Sequence, residues 1–318
     1  MSIAVVGEAL IDFISGDDGA YRPHLGGSPF NVAIGVARQG MAVSYLSPFS
    51  DDAFGDMLLA ALQREGVTVA NPRRSPWPTS LAMVTVDDAG IPAYRLYREG
   101  VADKDTTLEE LLSLLPPELS VFHTGSLAIT PSQLPKLKQL FTGLRARGVL
   151  LSVDINIRLK ASIDTQAYLD GVRSLFPLCD VLKASDEDLQ AMGFREPPDE
   201  AARAVQGQMP PGGIVLLTEG RGGVLLVDAS GEIRRPAFAI TRVQDTVGAG
   251  DTFHSAFIAS VVRRGAVVNG RVRLPRAALS EVLDFACAAA AINVSRRGCS
   301  PPSESEVLEF LAATDRGS

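Results

Sequence analysis

The sequence predicts an α/β protein: a mainly parallel sheet covered by helices on both faces, with a small β lid beside it. Two observations carry this prediction. Short apolar runs alternate with amphipathic stretches along most of the 318 residues, the pattern of strand–helix units. Two segments, 13–25 and 80–98, break that rhythm with strand-like alternation and turn residues such as DDG and DDAG. No linker-like tract, internal repeat or low-complexity segment divides the chain, so 1–318 reads as a single domain.

The core strands expected in order are 3–6, 121–123, 150–154, 181–183, 214–217 and 224–227. Phe30, Ala33, Ile34 and Ala37 recur at the spacing of one helix face, and residues 132–147 place Leu134, Leu137, Leu140, Phe141 and Leu144 along one side of another. Residues 277–294 look helical and are apolar nearly all round, which predicts burial. The second lid segment, SLAMVTVDDAGIPAYRLY, reads as a hairpin. Its alternation sends Arg95 and Tyr97 to one face and Leu96 and Arg98 to the other.

Composition narrows the function. Lys and Arg number 30 against 37 Asp and Glu, a net charge of −7, which argues against nucleic-acid or anionic-membrane partners. It leaves room for an anionic small ligand, because a nest of backbone N–H groups outweighs distant surface charge. No run of about 18 apolar residues occurs, so no membrane span is expected. The opening MSIAVVGEALIDF lacks a basic start and meets acid at Glu8, so it reads as the first strand rather than a signal peptide. Cys179, Cys287 and Cys299 are widely spaced and form no metal or disulfide framework, which points to a reduced, cytoplasmic home. His24, His123 and His254 are scattered and read as structural.

The stretch DTVGAGDTF, residues 245–253, is the most informative. The Gly248-Ala249-Gly250 turn precedes a helix, so unobstructed N–H groups and the helix dipole form an anion pocket. An Asp at the mouth of such a pocket is at odds with an anion unless it takes a proton from an attacking hydroxyl. The plain alternative is an Asp that caps the helix. The turn matches neither the dinucleotide fingerprint nor the P-loop.

The full string DTVGAGDTF resembles the C-terminal signature of the ribokinase-like (PfkB) sugar kinases. GGSPFNVA, with Gly26, Gly27 and Asn31, is similar to the family's N-terminal signature, and GEALIDF looks most like the fructokinase branch. The resemblance runs from Gly7 to about Ser303 with motifs in the family's order. It implies a three-layer α/β/α fold with a mostly parallel central sheet and a small β-sheet lid. It also implies transfer of the ATP γ-phosphoryl group to a sugar hydroxyl, with D-fructose at O6 the first choice of acceptor. Other acceptors are 2-keto-3-deoxygluconate, ribose or a nucleoside. Outside enzymes, the same fold serves a sugar-binding regulator, which would tend to lose the base and the anion turn.

The resemblance assigns roles position by position. Asp251 is the general base, and the amides at Ala249, Gly250 and Asp251, in the turn that Gly248 opens, hold the moving phosphoryl group. Asp12, Gly26, Gly27 and Asn31 orient the sugar, with Arg98 from the lid and Arg158 from the fructokinase-type DINIR segment. Lys183 and Ser185 in KASDED, Thr218, Gly220 and Gly223 in TEGRGG, and Asn293 at the end of FACAAAAINV serve the nucleotide. The alanines of that last helix would supply a flat adenine slot. KASDED departs from the usual N-x-x-E, leaving the Mg²⁺-linked carboxylate open between Glu187 and Asp188. Asp245, Val247 and Ser303 stand where relatives bind a monovalent cation, K⁺ among them. Exposed lid edges predict a homodimer in which two lids pair.

Overall fold

In the computed structural model, which describes residues 1–16, 18–86 and 92–315, nine strands form the central sheet. Their order is Gly231–Arg235, Val224–Asp228, Ile214–Thr218, Val181–Ser185, Leu150–Asp154, Leu119–Gly125, Ser2–Val5, Val43–Tyr45 and Thr68–Val69. All pairs from Ile214–Thr218 to Thr68–Val69 are parallel, and the two strands beyond it are antiparallel. Alternate strand residues supply two separate cores. Ile3, Val121, Leu150 and Val181 pack under helices Ser28–Arg38, Ala53–Arg64, Ala249–Arg263 and Arg276–Val294. Ala4, Phe122, Leu151 and Leu182 pack under Leu134–Ala146, Thr165–Arg173 and Pro198–Gln206. Strands buried on both faces explain the continuous apolar runs.

All six expected core strands form, each within a residue or two of its expected bounds. Three strands of this sheet were not anticipated. Val43–Tyr45 and Thr68–Val69 are too short to show a period, and Gly231–Arg235 is a charged edge strand, as sheet edges tend to be.

The lid is a four-stranded sheet in the order Tyr21–Gly26, Leu10–Ser15, Ser80–Val86 and Pro92–Tyr97. The DDAG turn at 87–90 and Asp17 of the DDG turn lie outside the described residues. The two outer pairs are antiparallel, while the central pair, Leu10–Ser15 with Ser80–Val86, is parallel. Asp12 stands opposite His24 on one neighbour and Ala82 on the other, so all three share a face. Leu10, Ala82 and Leu96 pack there with Leu127, whereas Tyr97 is exposed, so the expected split of faces holds.

Helix Arg276–Val294 is long and apolar enough to cross a membrane, with a mean hydropathy of 1.5, against the expectation that no such segment exists. Its alanines instead pack it into the core beside Ala249–Arg263. Ala286, Ala288 and Ala289 are buried there, so these small residues make close helix packing rather than an open slot.

Candidate active site

The carboxyl ends of the parallel strands gather Glu8, Asp154, Ser185 and Thr218 on one rim, where ligands of open α/β sheets collect. The anion turn comes to the same rim. Gly248 is left-handed (φ 74°) and caps helix Ala249–Arg263, and a Cβ at that position would overlap Cys299. Glycine is therefore required twice, by conformation and by space.

Asp251 does not cap that helix, which removes the plain alternative for this carboxylate. Its side chain turns to helix Ser28–Arg38. The Ser28 hydroxyl donates to Oδ1 at 2.6 Å, and the Asn31 amide donates to Oδ2 at 2.8 Å. Gly35, one turn beyond Asn31, lets the two helices approach, since a Cβ there would overlap Ser255. Ser28, Asn31 and Gly35 therefore line one face of an otherwise apolar helix. That polar and small stripe is the sequence signal that marks Ser28. Burial, and then the like charge of Asp154, push the Asp251 carboxyl above its ordinary value, against the pull of Ser28 and Asn31. A raised carboxyl is a better proton acceptor once ionised.

Behind the turn, the Lys183 ammonium donates to Asp154 at 2.8 Å, and both are buried. A Cβ on Gly250 would come within 3.1 Å of Lys183 Nζ, so the charge lies directly against the turn. Burial opposes the ammonium, yet Asp154 and Asp188 hold it above the ordinary lysine value. Burial likewise opposes the Asp154 carboxylate, but Lys183 and then His254 hold it well below the usual range. His254 Nε2 lies 2.7 Å from the Ser152 hydroxyl, which lies 3.1 Å from His123 Nδ1. Both histidines are fully buried in this polar chain, as structural residues.

The motifs expected to face the sugar converge as well. Gly27 (φ 113°) caps helix Ser28–Arg38, and Pro29 falls in its first turn. Asp12 lies over Gly26, where a Cβ would overlap its carboxylate. Burial pushes the Asp12 carboxyl up to about 6, opposed by the charges of His24 and Arg158. Arg158 is exposed, at the start of a turn that lid strand Pro92–Tyr97 touches. Asn31 has a role beyond the one expected: its amide orients the Asp251 carboxylate. Arg98 lies on the Asp12 face but is not a free arm. It is 7% exposed, pairs with Asp103 at 2.8 Å, and donates to the Ser80 hydroxyl and the Leu127 carbonyl.

The structure separates the two candidate carboxylates of KASDED. Glu187 is exposed and lines a surface cavity with Phe194 and Arg195. Asp188 is buried. Its two oxygens accept the amides of Ile157 (2.6 Å) and Ser185 (2.8 Å), in a capping box that ties the DINIR loop to helix Asp186–Ala191. Each oxygen keeps a lone pair for a water-mediated hard cation.

Thr218 to Gly223 is a tight connection between antiparallel strands. Gly220 faces open space, while a Cβ on Gly223 would overlap Arg235. Asn293 is fully buried. Its amide holds the Val247 carbonyl (2.9 Å) and its oxygen accepts the Ser300 amide (2.8 Å), so it braces the turn rather than facing a nucleotide. Asp245 accepts the Val247 and Gly298 amides. Ser303 caps the last helix, Glu304–Asp315, through Glu306, so its hydroxyl is committed there.

Known proteins match this architecture along its length. A model of the pfkB family carbohydrate kinases matches residues 1–306. The chain is similar to fructokinase-2 of Solanum lycopersicum, 32% identical over 326 residues that cover 97% of this chain and 95% of the relative. Among solved structures it is similar to the fructokinase of Xylella fastidiosa with bound ATP, with a TM-score of 0.87 and 26% identity over 99% of both chains. The fructokinase of Vibrio cholerae O395 in its fructose, ADP and calcium ion bound form shares the fold at a TM-score of 0.83 and 22% identity, covering 98% of each chain. The ribokinase-like fold expected from the sequence is borne out, and the chain belongs to the pfkB family of carbohydrate kinases, phosphotransferases with a sugar hydroxyl as acceptor.

Proposed function

We propose that the protein transfers the γ-phosphoryl group of ATP to O6 of D-fructose. One observation carries the reading: Asp251 stands in the first turn of a helix whose glycine turn presents amides, yet its carboxylate faces the Gly26–Gly27 cradle side, through Ser28 and Asn31. The curated relatives named fructokinases favour fructose among the sugars.

Asp12 and the Gly26–Gly27 backbone hold the sugar, with Arg158 beside the lid. The sugar hydroxyl gives its proton to Asp251 as its oxygen attacks the γ-phosphorus. The bond to the bridging oxygen breaks, and ADP leaves with that electron pair. The amides at Gly250 and Asp251 receive the charge on the moving phosphoryl group, the Ala249 amide being turned instead to the Thr246 carbonyl at 3.2 Å beside Gly248, and the Lys183 ammonium, fixed by Asp154, adds a buried positive charge behind them. Ser185, Thr218, Gly220 and Gly223 flank the nucleotide, with Asn293 acting through the turn it braces.

Asp188 fits a Mg²⁺ held through water, which would supply positive charge to offset the negative charge of the ATP phosphates. Asp245 and the Val247 carbonyl offer oxygen donors suited to K⁺. Arg98 holds the lid strand to the Asp12 face. The lid edges Tyr21–Gly26 and Pro92–Tyr97 expose Tyr21 and Tyr97, which supports a homodimer through paired lids. Three free cysteines suit a reducing, cytoplasmic setting.

A coupled ATP-consumption assay over a sugar panel, with the phosphorylated position identified, tests the acceptor. Asp251→Asn should lose about 10²–10⁴ in kcat while ATP still binds. Near-normal turnover in that variant would remove Asp251 as the base.

A further inference from the structure

The Asp251 carboxylate is engaged by two side chains of helix Ser28–Arg38. Ser28 Oγ sits 2.6 Å from Oδ1, the separation a substrate hydroxyl must reach for its proton to be taken. Both residues are buried, Ser28 at 7% exposure and Asp251 at 8%. The two partners of the carboxylate are not equivalent. Asn31 holds Oδ2 and keeps the group oriented. Ser28 occupies Oδ1 through a single rotatable bond, and its place in the helix does not depend on that contact. Its own amide is anchored separately, on Glu8 Oε1 at 3.3 Å. Glu8 Oε2 is buried and has no hydrogen-bond partner among the described residues, and burial pushes the Glu8 carboxyl up to about 7.

We propose that Ser28 is a placeholder for the sugar hydroxyl: its O–H fills the proton-accepting position on Asp251 until a sugar displaces it, and so keeps water from being activated there. The inference rests on Asp251 being the base. The reaction it suppresses is balanced and simple. A water oxygen bonds to the γ-phosphorus, the bond to the bridging oxygen breaks, and ADP takes the electron pair. The water proton passes to Asp251 and then to solvent, leaving ADP and inorganic phosphate. A kinase with an open base at the mouth of an anion pocket carries this side reaction whenever ATP binds first. With Ser28 in place, water must displace a short charge-assisted hydrogen bond, whereas a sugar held by Asp12 and the glycine cradle brings its own binding energy to do so.

The site makes a second demand of the same contact. The titratable groups around Asp251 and Ser28 are Asp154 and Lys183 on neighbouring strands, Cys299 behind the turn, and Glu8, which holds the Ser28 amide and is itself pushed up to about 7 by burial. Lys183 is the one cation among them, and the Cys299 thiol is pushed up by burial and stays neutral. The Ser28 hydroxyl lowers the Asp251 pKa, so its removal must raise it.

Two readouts on Ser28→Ala test the proposal, each against wild type at saturating ATP. Sugar-independent ATP hydrolysis, followed as phosphate release, should rise about tenfold, the ratio carried by one hydrogen bond of this kind. The acid limb of kcat/KM for the sugar should move to higher pH. Ser28→Thr, which keeps the hydroxyl, should hold both close to wild type. A Ser28→Ala protein that binds ATP normally, with unchanged sugar-free hydrolysis and an unmoved acid limb, would overturn the placeholder. Phosphate found on Ser28 by mass spectrometry after incubation with ATP alone would also overturn it, since the residue would then be an acceptor and not a guard. Failure of the base assignment is recognised separately, by an Asp251→Asn enzyme that still turns over sugar.

Discussion

Replacing Gly248 by Ala measures what holds the anion turn in place. At φ 74°, an L-residue pays about 1–2 kcal/mol for the left-handed conformation. The added methyl also overlaps Cys299 Sγ and Cβ and comes within 3.1 Å of its Cα, so neither a rotamer change nor a small tilt clears it. Overpacking of this kind costs about 1–3 kcal/mol. The two together give roughly 2–5 kcal/mol, and at about 2.1 cal/mol/K per residue the 318-residue chain should melt about 3–8 °C lower. Activity should fall more steeply than stability, because displaced amides no longer meet the phosphoryl oxygens. A double-mutant cycle with Cys299→Gly separates the contributions. That partner change removes the obstructing Cβ and Sγ but leaves the backbone penalty, so chemical denaturation of the four proteins should show a favourable coupling of about 1–3 kcal/mol. Additivity within about 0.5 kcal/mol would mean that Cys299 does not wedge the turn, and the reasoning would fail.

Two further outcomes follow from buried charge. Asp154→Asn strands the Lys183 ammonium without its partner and should cost about 3–5 kcal/mol in denaturant titrations, whereas adding Lys183→Met should return most of it; a loss below about 1 kcal/mol would show that the pair is not a buried one. Because burial raises the Asp12 carboxyl to about 6, kcat/KM for the sugar should decline as pH drops through that value and the protonated group stops accepting hydroxyls; Asp12→Asn should be poor at every pH and lack this inflection, which a pH series on both proteins would reveal.

The core strands were legible because burial on both faces writes them as apolar runs. The helix after DTVGAGDTF was legible because glycine punctuation precedes a stretch with no helix breaker. What escaped the sequence were relations across space. Lys183 and Asp154 lie on adjacent parallel strands, where neither position announces the other. Ser28 follows a Gly-Gly pair and looks like an ordinary helix starter until Gly35 is seen to bring Ala249–Arg263 alongside. Arg98 was read correctly for its face and incorrectly for its freedom, since Asp103 lies in the segment after the hairpin and only folding brings the two together. Alternation fixes a direction; it does not say which charge is already neutralised.

The lid's central seam constrains how the protein is made. Its two strands run the same way, and Leu10 meets Ser80, about seventy residues later in the chain. The intervening stretch carries helices Ser28–Arg38 and Ala53–Arg64 and strand Val43–Tyr45, all of which belong to the main body. Neither hairpin can find the other until that body has condensed and drawn its ends near. The proposed sugar cradle is therefore among the last parts to mature during folding, and a nascent chain released before residue 80 carries Asp12 with no seam to hold it in place.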